Sequence, residues 1–330
     1  MMMQAILQTA PGGLDTLHIG EAPLPRRQAG QLLVKVMAAG VNRADIVQRE
    51  GRYPPPPGAS SILGLEVAGV VVEADANSRF QEGDAVFGLI AGGAYAEYAV
   101  LDEPLAIVKP DALSWVEAAS LPEVWMTAWL NLVQVGRLKT GQNILIHAGA
   151  SGVGATAIQL AGWLGAQAFA SAGSADKLTF CRQLGARQVF NYKELPAFAA
   201  KIKDWGGVDM ILDPVGASYL AENMASLNQD GKLVNIGLMG GGKAEVNLGL
   251  LLVKRLSLIG STLRSQPLQV KASLARALEQ QVLPAILHGQ LKFTLDSSFP
   301  WQQVADAHAH MEANANLGKV VLTFFPVMTP

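Results

Sequence analysis

The residues with the clearest chemistry lie between Asn143 and Ala161. An apolar run, Ile144-Leu145-Ile146, breaks into the turn His147-Ala148-Gly149-Ala150-Ser151-Gly152-Val153-Gly154, and Ala155 to Leu164 continues as small and aliphatic residues. That order reads as a buried parallel strand, a tight turn and a helix start, the first half of a dinucleotide-binding unit. Gly152-Val153-Gly154-Ala155-Thr156-Ala157 fits the G-x-G-x-x-A frame. Glycine is required because a Cβ would keep the backbone away from a pyrophosphate, and the helix N-terminus offers the anion free N–H groups and a partial positive charge. Ser151, Gly152, Val153 and Gly154 are the expected phosphate contacts.

About twenty residues beyond such a turn, an NAD-specific chain carries an Asp or Glu for the ribose hydroxyls. Here the second strand ends in Ser171-Ala172-Gly173-Ser174, followed by Asp176 and Lys177. Small hydroxyl residues and a nearby lysine suit a 2′-phosphate, which needs donors and positive charge. Gly173, Ser174 and Lys177 are therefore read as the site that selects NADPH, with Tyr192 covering the same phosphate. The alternative for Lys177 is a solvated helix residue.

The elements that must position these groups change rhythm along the chain. From Met3 to about Ser120, short strands such as Ala5–Leu7, Leu32–Val36, Val67–Val72, Ala85–Leu89 and Tyr95–Val100 alternate with glycine and proline turns. This predicts a small β-barrel-like domain with one short helix, Val41–Arg49. Pro122–Val135 reads as a helix leading into the next domain. From Gly141 strands and helices alternate: Asn143–His147, Gln167–Ser171, Gln188–Asn191, Val208–Asp213, Lys232–Ile236 and Leu256–Gly260, with helices around Ala155–Leu164, Ala175–Leu184, Ala197–Lys203 and Tyr219–Ala225. Six such strands make a doubly wound α/β sheet. Gln269–Glu279 and Val304–Met311 look helical, and Lys319–Phe325 is an apolar strand that returns to the first domain. Residues 1–120 with 265–330 thus form a discontinuous outer domain, and residues 121–264 are inserted into it.

Ligands of doubly wound sheets sit at the carboxyl ends of the strands. Gly237, Leu238 and Met239 follow the fifth strand there, and Leu263, Arg264 and Ser265 follow the sixth; both groups are expected at the nicotinamide end. Gly240-Gly241-Gly242 is either a lid or a loose loop. The turn Asp213-Pro214-Val215-Gly216 reads as structural.

With 330 residues, half of them hydrophobic and 16% charged, the chain has ample material for two cores. A net charge of −2 without basic runs argues against nucleic-acid or membrane-surface binding. No apolar run spans a bilayer and no signal-like segment opens the chain, so a cytoplasmic protein is expected. The single cysteine, Cys181, excludes an intramolecular disulfide framework and reads as inert packing. His308 and His310, two residues apart, share no helix face and read as surface residues rather than metal ligands.

Val41-Asn42-Arg43-Ala44-Asp45, Gly51-Arg52-Tyr53 with Pro54 to Gly58, Leu63-Gly64-Leu65-Glu66, the turn His147 to Gly154, Asn191-Tyr192-Lys193, Gly237 to Gly242 and Met311-Glu312-Ala313-Asn314 are found together in a known family. The chain resembles, over nearly its whole length, the zinc-independent quinone oxidoreductases of the medium-chain dehydrogenase/reductase superfamily, particularly the branch of p53-inducible quinone oxidoreductases. The resemblance implies a doubly wound Rossmann domain and a discontinuous GroES-like β-barrel catalytic domain, with hydride transfer in an interdomain cleft. Zinc alcohol dehydrogenases of the superfamily carry Gly-His-Glu where this chain has Gly64-Leu65-Glu66, and a ligand cysteine near the position of Asn42; Leu65 cannot bind a metal. The resemblance places Asn42 and Tyr53 beside the nicotinamide and acceptor as the catalytic pair. Asn42 is either a donor to a quinone oxygen or a turn-capping amide. Tyr53 is a phenol donor, a stacking wall or a turn aromatic, and Asp45 is expected to hold Asn42 or Arg43 in place. A quinone needs no metal to polarise it, so positioning and a dry slot suffice. The alternatives are an NADPH-dependent enone or alkenal reductase and a non-catalytic NADPH-binding protein. The segment Leu256–Thr262 is implied to pair across the axis of a homodimer, with a tetramer also open.

Overall fold

A computed structural model describes residues 1–324; Phe325, the last residue of the expected C-terminal strand, lies outside the described residues. The chain divides into two compact units, one formed by Met1–Met126 with the segment from Arg264 onward, the other by Thr127–Leu263. No helix among the described residues is long and apolar enough to cross a membrane.

The second unit is a six-stranded sheet, parallel at every pairing. Across it the strands run Gln188–Asn191, Gln167–Ala172, Asn143–Ile146, Val208–Asp213, Leu227–Asn235 and Ser257–Gly260. In chain order this is 3-2-1-4-5-6, so the direction of winding reverses between Asn143–Ile146 and Val208–Asp213. Ile144, Leu145, Ile146, Ile211 and Leu212 are buried, as strands covered on both faces require. On one side Phe169, Phe190, Phe198, Ile202 and Met224 close the core. Serines start two helices at the carboxyl edge: Ser151 caps Gly152–Trp163 and Ser174 caps Ala175–Gln183, each hydroxyl accepting from the third N–H of its helix.

The first unit carries a seven-stranded, largely antiparallel sheet. Its order is Leu295–Pro300, Lys319–Thr323, Gln31–Val41, Glu66–Glu73, Ala85–Leu89 and Ala106–Val108, with Tyr98–Asp102 pairing on the first half of Gln31–Val41. Lys319–Thr323 pairs with the second half, Val320 opposite Val41 and Thr323 opposite Ala38. That register places Lys319 beside the residue where Gln31–Val41 gives way to the helix Arg43–Arg49.

Several elements differ from the sequence reading. The strands Leu17–Pro23, Ala106–Val108 and Leu295–Pro300 and the helix Leu248–Val253 were not anticipated. The helix is apolar almost all round, so it shows no amphipathic period, and Leu252 and Val253 are 76% and 70% exposed. The expected helix Pro122–Val135 is α-helical to Trp129 and continues as a π-helical stretch through Val135. The unit boundary falls inside it, between Met126 and Thr127.

Candidate active site

In the second unit the turn after Asn143–Ile146 is strained. Ala148 has φ +51°, a left-handed conformation that costs a residue with a Cβ. This bend brings the chain round to Ser151, whose Oγ accepts from Gly154 N at 3.1 Å. A Cβ on Gly154 would collide with the Ala148 carbonyl, so only glycine allows the turn and helix to pack this closely. The N–H groups of Gly152 and Val153 open the helix ahead of the capped Gly154. Gly173 serves a second close approach: a Cβ there would stand 2.6 Å from the Tyr192 hydroxyl and 3.2 Å from Lys193 Cε. Gly173, Tyr192 and Lys193 thus converge where the second and third strands end, next to Ser174, whose Oγ accepts from Lys177 N at 3.4 Å. Sequence reasoning selected Gly173, Ser174, Lys177 and Tyr192 but passed over Lys193. A lysine directly after Tyr192, in the turn that follows the third strand, was the available signal. A glycine cradle, a capped helix N-terminus and a lysine-bearing corner fit a phosphorylated dinucleotide.

Beneath the reversal of winding lies a buried polar chain. Asp213 ends the fourth strand and accepts from Val215 N at 2.7 Å, Gly216 N at 3.2 Å and Asn223 Nδ2 at 3.1 Å. With its Nδ2 on Asp213, Asn223 presents Oδ1 to His147 Nε2 at 2.7 Å. His147 therefore donates from Nε2 and accepts at Nδ1 from the Ser171 hydroxyl at 2.8 Å. Burial lowers the His147 pKa, which keeps the ring neutral and suits this tautomer. The chain ties strands one, two and four together under the nucleotide turn. Asp213 is structural here, as its turn sequence suggests.

The loop after the fifth strand is less free than its three glycines imply. Met239 N donates to Pro214 O at 3.2 Å, Gly240 N to Val215 O at 2.7 Å and Ala217 N to Gly241 O at 3.0 Å, so Gly240 and Gly241 are tied to the Asp213 turn. A Cβ on Gly237 would stand 2.7 Å from Pro214 O. Leu238 and Met239 are exposed, Leu263 is buried at the end of this unit, and Ser265 is exposed in the other.

In the first unit, Asn42 is the N-cap residue of Arg43–Arg49, and Asp45 reaches back to accept from Asn42 N at 2.8 Å. The second oxygen of Asp45 accepts from Gly64 N at 3.0 Å, which joins the two segments that carry Asn42 and Glu66. The Asn42 carboxamide is engaged with a buried ion pair: Nδ2 donates to Glu66 Oε1 at 2.9 Å, and Oδ1 accepts from Lys319 Nζ at 2.7 Å. Lys319 also pairs with Glu66, and Glu66 Oε2 accepts from Glu123 N at 2.8 Å. A Cβ on Gly40 would strike the Glu66 carboxylate, so glycine makes room for the pair. Neither Glu66 nor Lys319 was singled out as a site residue from sequence. A lysine in a Val/Leu-rich terminal strand was the available signal, because such a residue is buried only when paired.

Tyr53 is half-buried, with its ring 5.4 Å from the Arg264 guanidinium. Burial, with the nearby Glu123 carboxylate, raises the phenol pKa, so the hydroxyl stays protonated at neutral pH. Arg264 is itself buried; Nε and Nη2 donate to Ala91 O at 3.0 and 2.6 Å, and Nη1 has no hydrogen-bond partner among the described residues. A cavity of about 10 Å³ adjoins it, lined by Leu65, Ile90, Ala91, Glu123 and Lys271.

His308 corrects the sequence reading. It is fully buried, not a surface residue, with Nε2 3.3 Å from the Tyr95 hydroxyl and Nδ1 3.3 Å from Arg49 Nη1. The Tyr95 hydroxyl donates in turn to Asp45 Oδ2 at 3.3 Å, and Arg49 Nη2 donates to Glu312 at 2.5 Å. Val304, His308 and Met311 follow a helical i, i+4, i+7 spacing, so His308 lies on the buried face. His310, on another face, is half-exposed and pairs with Asp296 at 2.8 Å. Among the described residues no group of three His, Cys, Asp or Glu is placed to hold a metal. Cys181 is buried, and burial pushes its thiol up to about 12, which leaves it unreactive.

A GroES-like first unit and a Rossmann-like second unit with this nucleotide turn define an NAD(P)H-dependent oxidoreductase. Residues 28–111 match the alcohol dehydrogenase GroES-like domain family and residues 152–280 match the zinc-binding dehydrogenase family. The human quinone oxidoreductase is 30% identical over 329 residues, covering 97% of this chain and 98% of that protein. A mycobacterial structure described as complexed with NADPH aligns with TM-score 0.86 at 29% identity, over 97% of this chain and 99% of that one. A Pseudomonas syringae quinone oxidoreductase aligns with TM-score 0.86 at 27% identity and the same coverage. The chain belongs to the medium-chain dehydrogenase/reductase superfamily, as one of its quinone oxidoreductase-like members.

Proposed function

We propose that this protein reduces quinones with NADPH and without a metal: quinone, NADPH and one proton give hydroquinone and NADP⁺. The observation that carries the reading is the make-up of the Asn42 site. Its carboxylate, Glu66, is neutralised by Lys319, its neighbour Leu65 is apolar and buried, and the polar group offered is a carboxamide. Such a site polarises and orients an acceptor that is already electrophilic. The NADPH preference rests on the corner of Gly173, Ser174, Lys177, Tyr192 and Lys193, which lacks a carboxylate for the ribose hydroxyls. The similarity to a mycobacterial protein solved with NADPH supports the same choice.

Bound NADPH supplies the hydride; the chain's own groups do the rest. Ser151, Gly152, Val153 and Gly154 would hold the pyrophosphate through backbone N–H groups and the helix N-terminus. Asn42 has a second Nδ2 hydrogen beyond the one given to Glu66, and this donates to an acceptor oxygen as it gains charge. The Tyr53 ring walls the acceptor, held flat by Arg264. No side chain is assigned as the final proton donor, because the reduced oxygens can take protons from water.

We further propose a homodimer formed through the second unit. Among the described residues Ser257–Gly260 is an edge strand paired on one side only, and Leu248, Leu252 and Val253 stand exposed nearby in sequence. An unpaired edge beside exposed apolar residues is what a two-fold contact between copies covers.

The deciding experiment is the initial rate of NADPH oxidation by metal-stripped protein with an ortho-quinone, with NADH and a simple enone as controls. Fast quinone-dependent oxidation preferring NADPH is expected. Turnover with the enone alone would move the assignment to alkene reduction, and tight NADPH binding with no oxidation would make the protein non-catalytic.

A further inference from the structure

We propose that Lys319 and Glu66 are positioning residues that set the orientation and donor strength of the Asn42 carboxamide. The inference rests on the reading that Asn42 touches the acceptor. An isolated asparagine side chain rotates freely about χ2 and can present either its oxygen or its nitrogen. Here both ends are fixed. Lys319 Nζ donates to Oδ1 at 2.7 Å, and Glu66 Oε1 receives one Nδ2 hydrogen at 2.9 Å, so the amide cannot flip without placing its NH₂ against an ammonium and its oxygen against a carboxylate. The remaining Nδ2 hydrogen is then held in the carboxamide plane, in a single direction.

The Lys319 contact also changes the chemistry of that hydrogen. A cation donating to the amide oxygen draws electron density from nitrogen and strengthens the N–H as a donor, the cooperative polarisation expected of hydrogen-bonded chains in a low-dielectric interior. The pair is anchored rather than adjustable. Lys319 also donates to Val41 O at 3.0 Å, and Glu66 Oε2 holds Glu123 N at 2.8 Å. Their side chains are 3% and 0% exposed. A buried ion pair is weak evidence of stabilisation in itself, because desolvation offsets the attraction. Its position, clamped on both ends of one carboxamide, is what points to a role in orienting it.

The test is a double-mutant cycle on quinone turnover. Removing Lys319 alone would strand a buried carboxylate, so the pair is replaced as a unit, Glu66→Gln with Lys319→Met, in the wild type and in Asn42→Ala. In the wild type the exchange is expected to lower kcat by about 100-fold, the scale of a displaced catalytic group, with the NADPH dissociation constant and the melting temperature little changed. In Asn42→Ala the same exchange is expected to have no further effect on kcat. Losses that add, or a wild-type kcat in the folded pair variant, would overturn the inference. Should the pair variant fail to fold, the cycle is run with the polar exchange Glu66→Gln and Lys319→Gln, where an unchanged kcat, or losses that add to those of Asn42→Ala, overturns the inference. The cycle is read with whichever acceptor, quinone or enone, the unaltered protein turns over. No turnover with either removes the underlying reading and this inference together, whereas turnover with additive losses removes only the inference.

Discussion

Lys319 donates to the carboxamide oxygen of Asn42 at 2.7 Å across a sequence separation of 277 residues. The contact exists because Lys319–Thr323 pairs antiparallel with Gln31–Val41, in the register that sets Val320 opposite Val41. The C-terminal strand therefore completes a sheet and also delivers a cation to the residue that follows its partner strand.

The phosphate corner gives the first prediction. Lys177→Ala should weaken NADPH binding by roughly 10- to 100-fold, the value of one charge-assisted contact, while NADH binding changes little. Fluorescence titration of both nucleotides would check it. Equal losses for the two would place the 2′-phosphate elsewhere, with Lys193 the next residue to replace.

Tyr53 can be tested for what its ring does apart from its hydroxyl. If the ring is a wall braced by Arg264, Tyr53→Phe should keep kcat/KM for the quinone within a few-fold, while Tyr53→Ala should lose about 10-fold, the range of a partly buried cation–π contact. A large loss in Tyr53→Phe would instead make the hydroxyl a donor in the reaction.

Asp45 and His308 give stability opposite dependences on pH. Burial raises the Asp45 carboxyl from 3.8 to about 6. The native state therefore binds more protons than the unfolded chain between about pH 4 and 6, and this contribution to stability is lost as the pH rises through that window. Burial, with Arg49 and Arg43 nearby, lowers His308 from 6.5 to about 3, so its contribution is present above 6.5 and is lost as the pH falls toward 3. In chemical denaturation across pH 3–7, the difference between wild type and Asp45→Asn should shift by roughly 3 kcal/mol from acid to neutral pH. His308→Gln should lose less stability than wild type on acidification. A flat difference curve for either variant would contradict the corresponding assignment.

Leu252→Glu should shift the protein from dimer to monomer in light scattering coupled to size exclusion, since it places a charge in the proposed apolar contact. NADPH binding by the variant should persist. An unchanged mass would locate the interface elsewhere or show that the protein is a monomer.

Much of the second unit was legible in the chain. Parallel strands buried on both faces read as unbroken apolar runs, and a pyrophosphate turn tolerates few residue types, so Asn143–Ile146, the turn to Gly154 and the helix beyond could be placed from local pattern. The outer unit was harder, because its short edge strands Leu17–Pro23 and Leu295–Pro300 carry weak alternation and gain their partners from distant segments. By itself the sequence determined the nucleotide turn, which follows from residue type and near neighbours, while the family resemblance carried by its motifs pointed to Leu65 as the place of a missing metal ligand and to Asn42 and Tyr53 as the candidate pair. Only the tertiary structure decided that Glu66 and Lys319 clamp Asn42, that Arg264 backs Tyr53 and that His308 is buried against Tyr95. The physical reason is range: those contacts depend on strand register and helix packing between segments from 24 to 277 residues apart, which no local periodicity encodes.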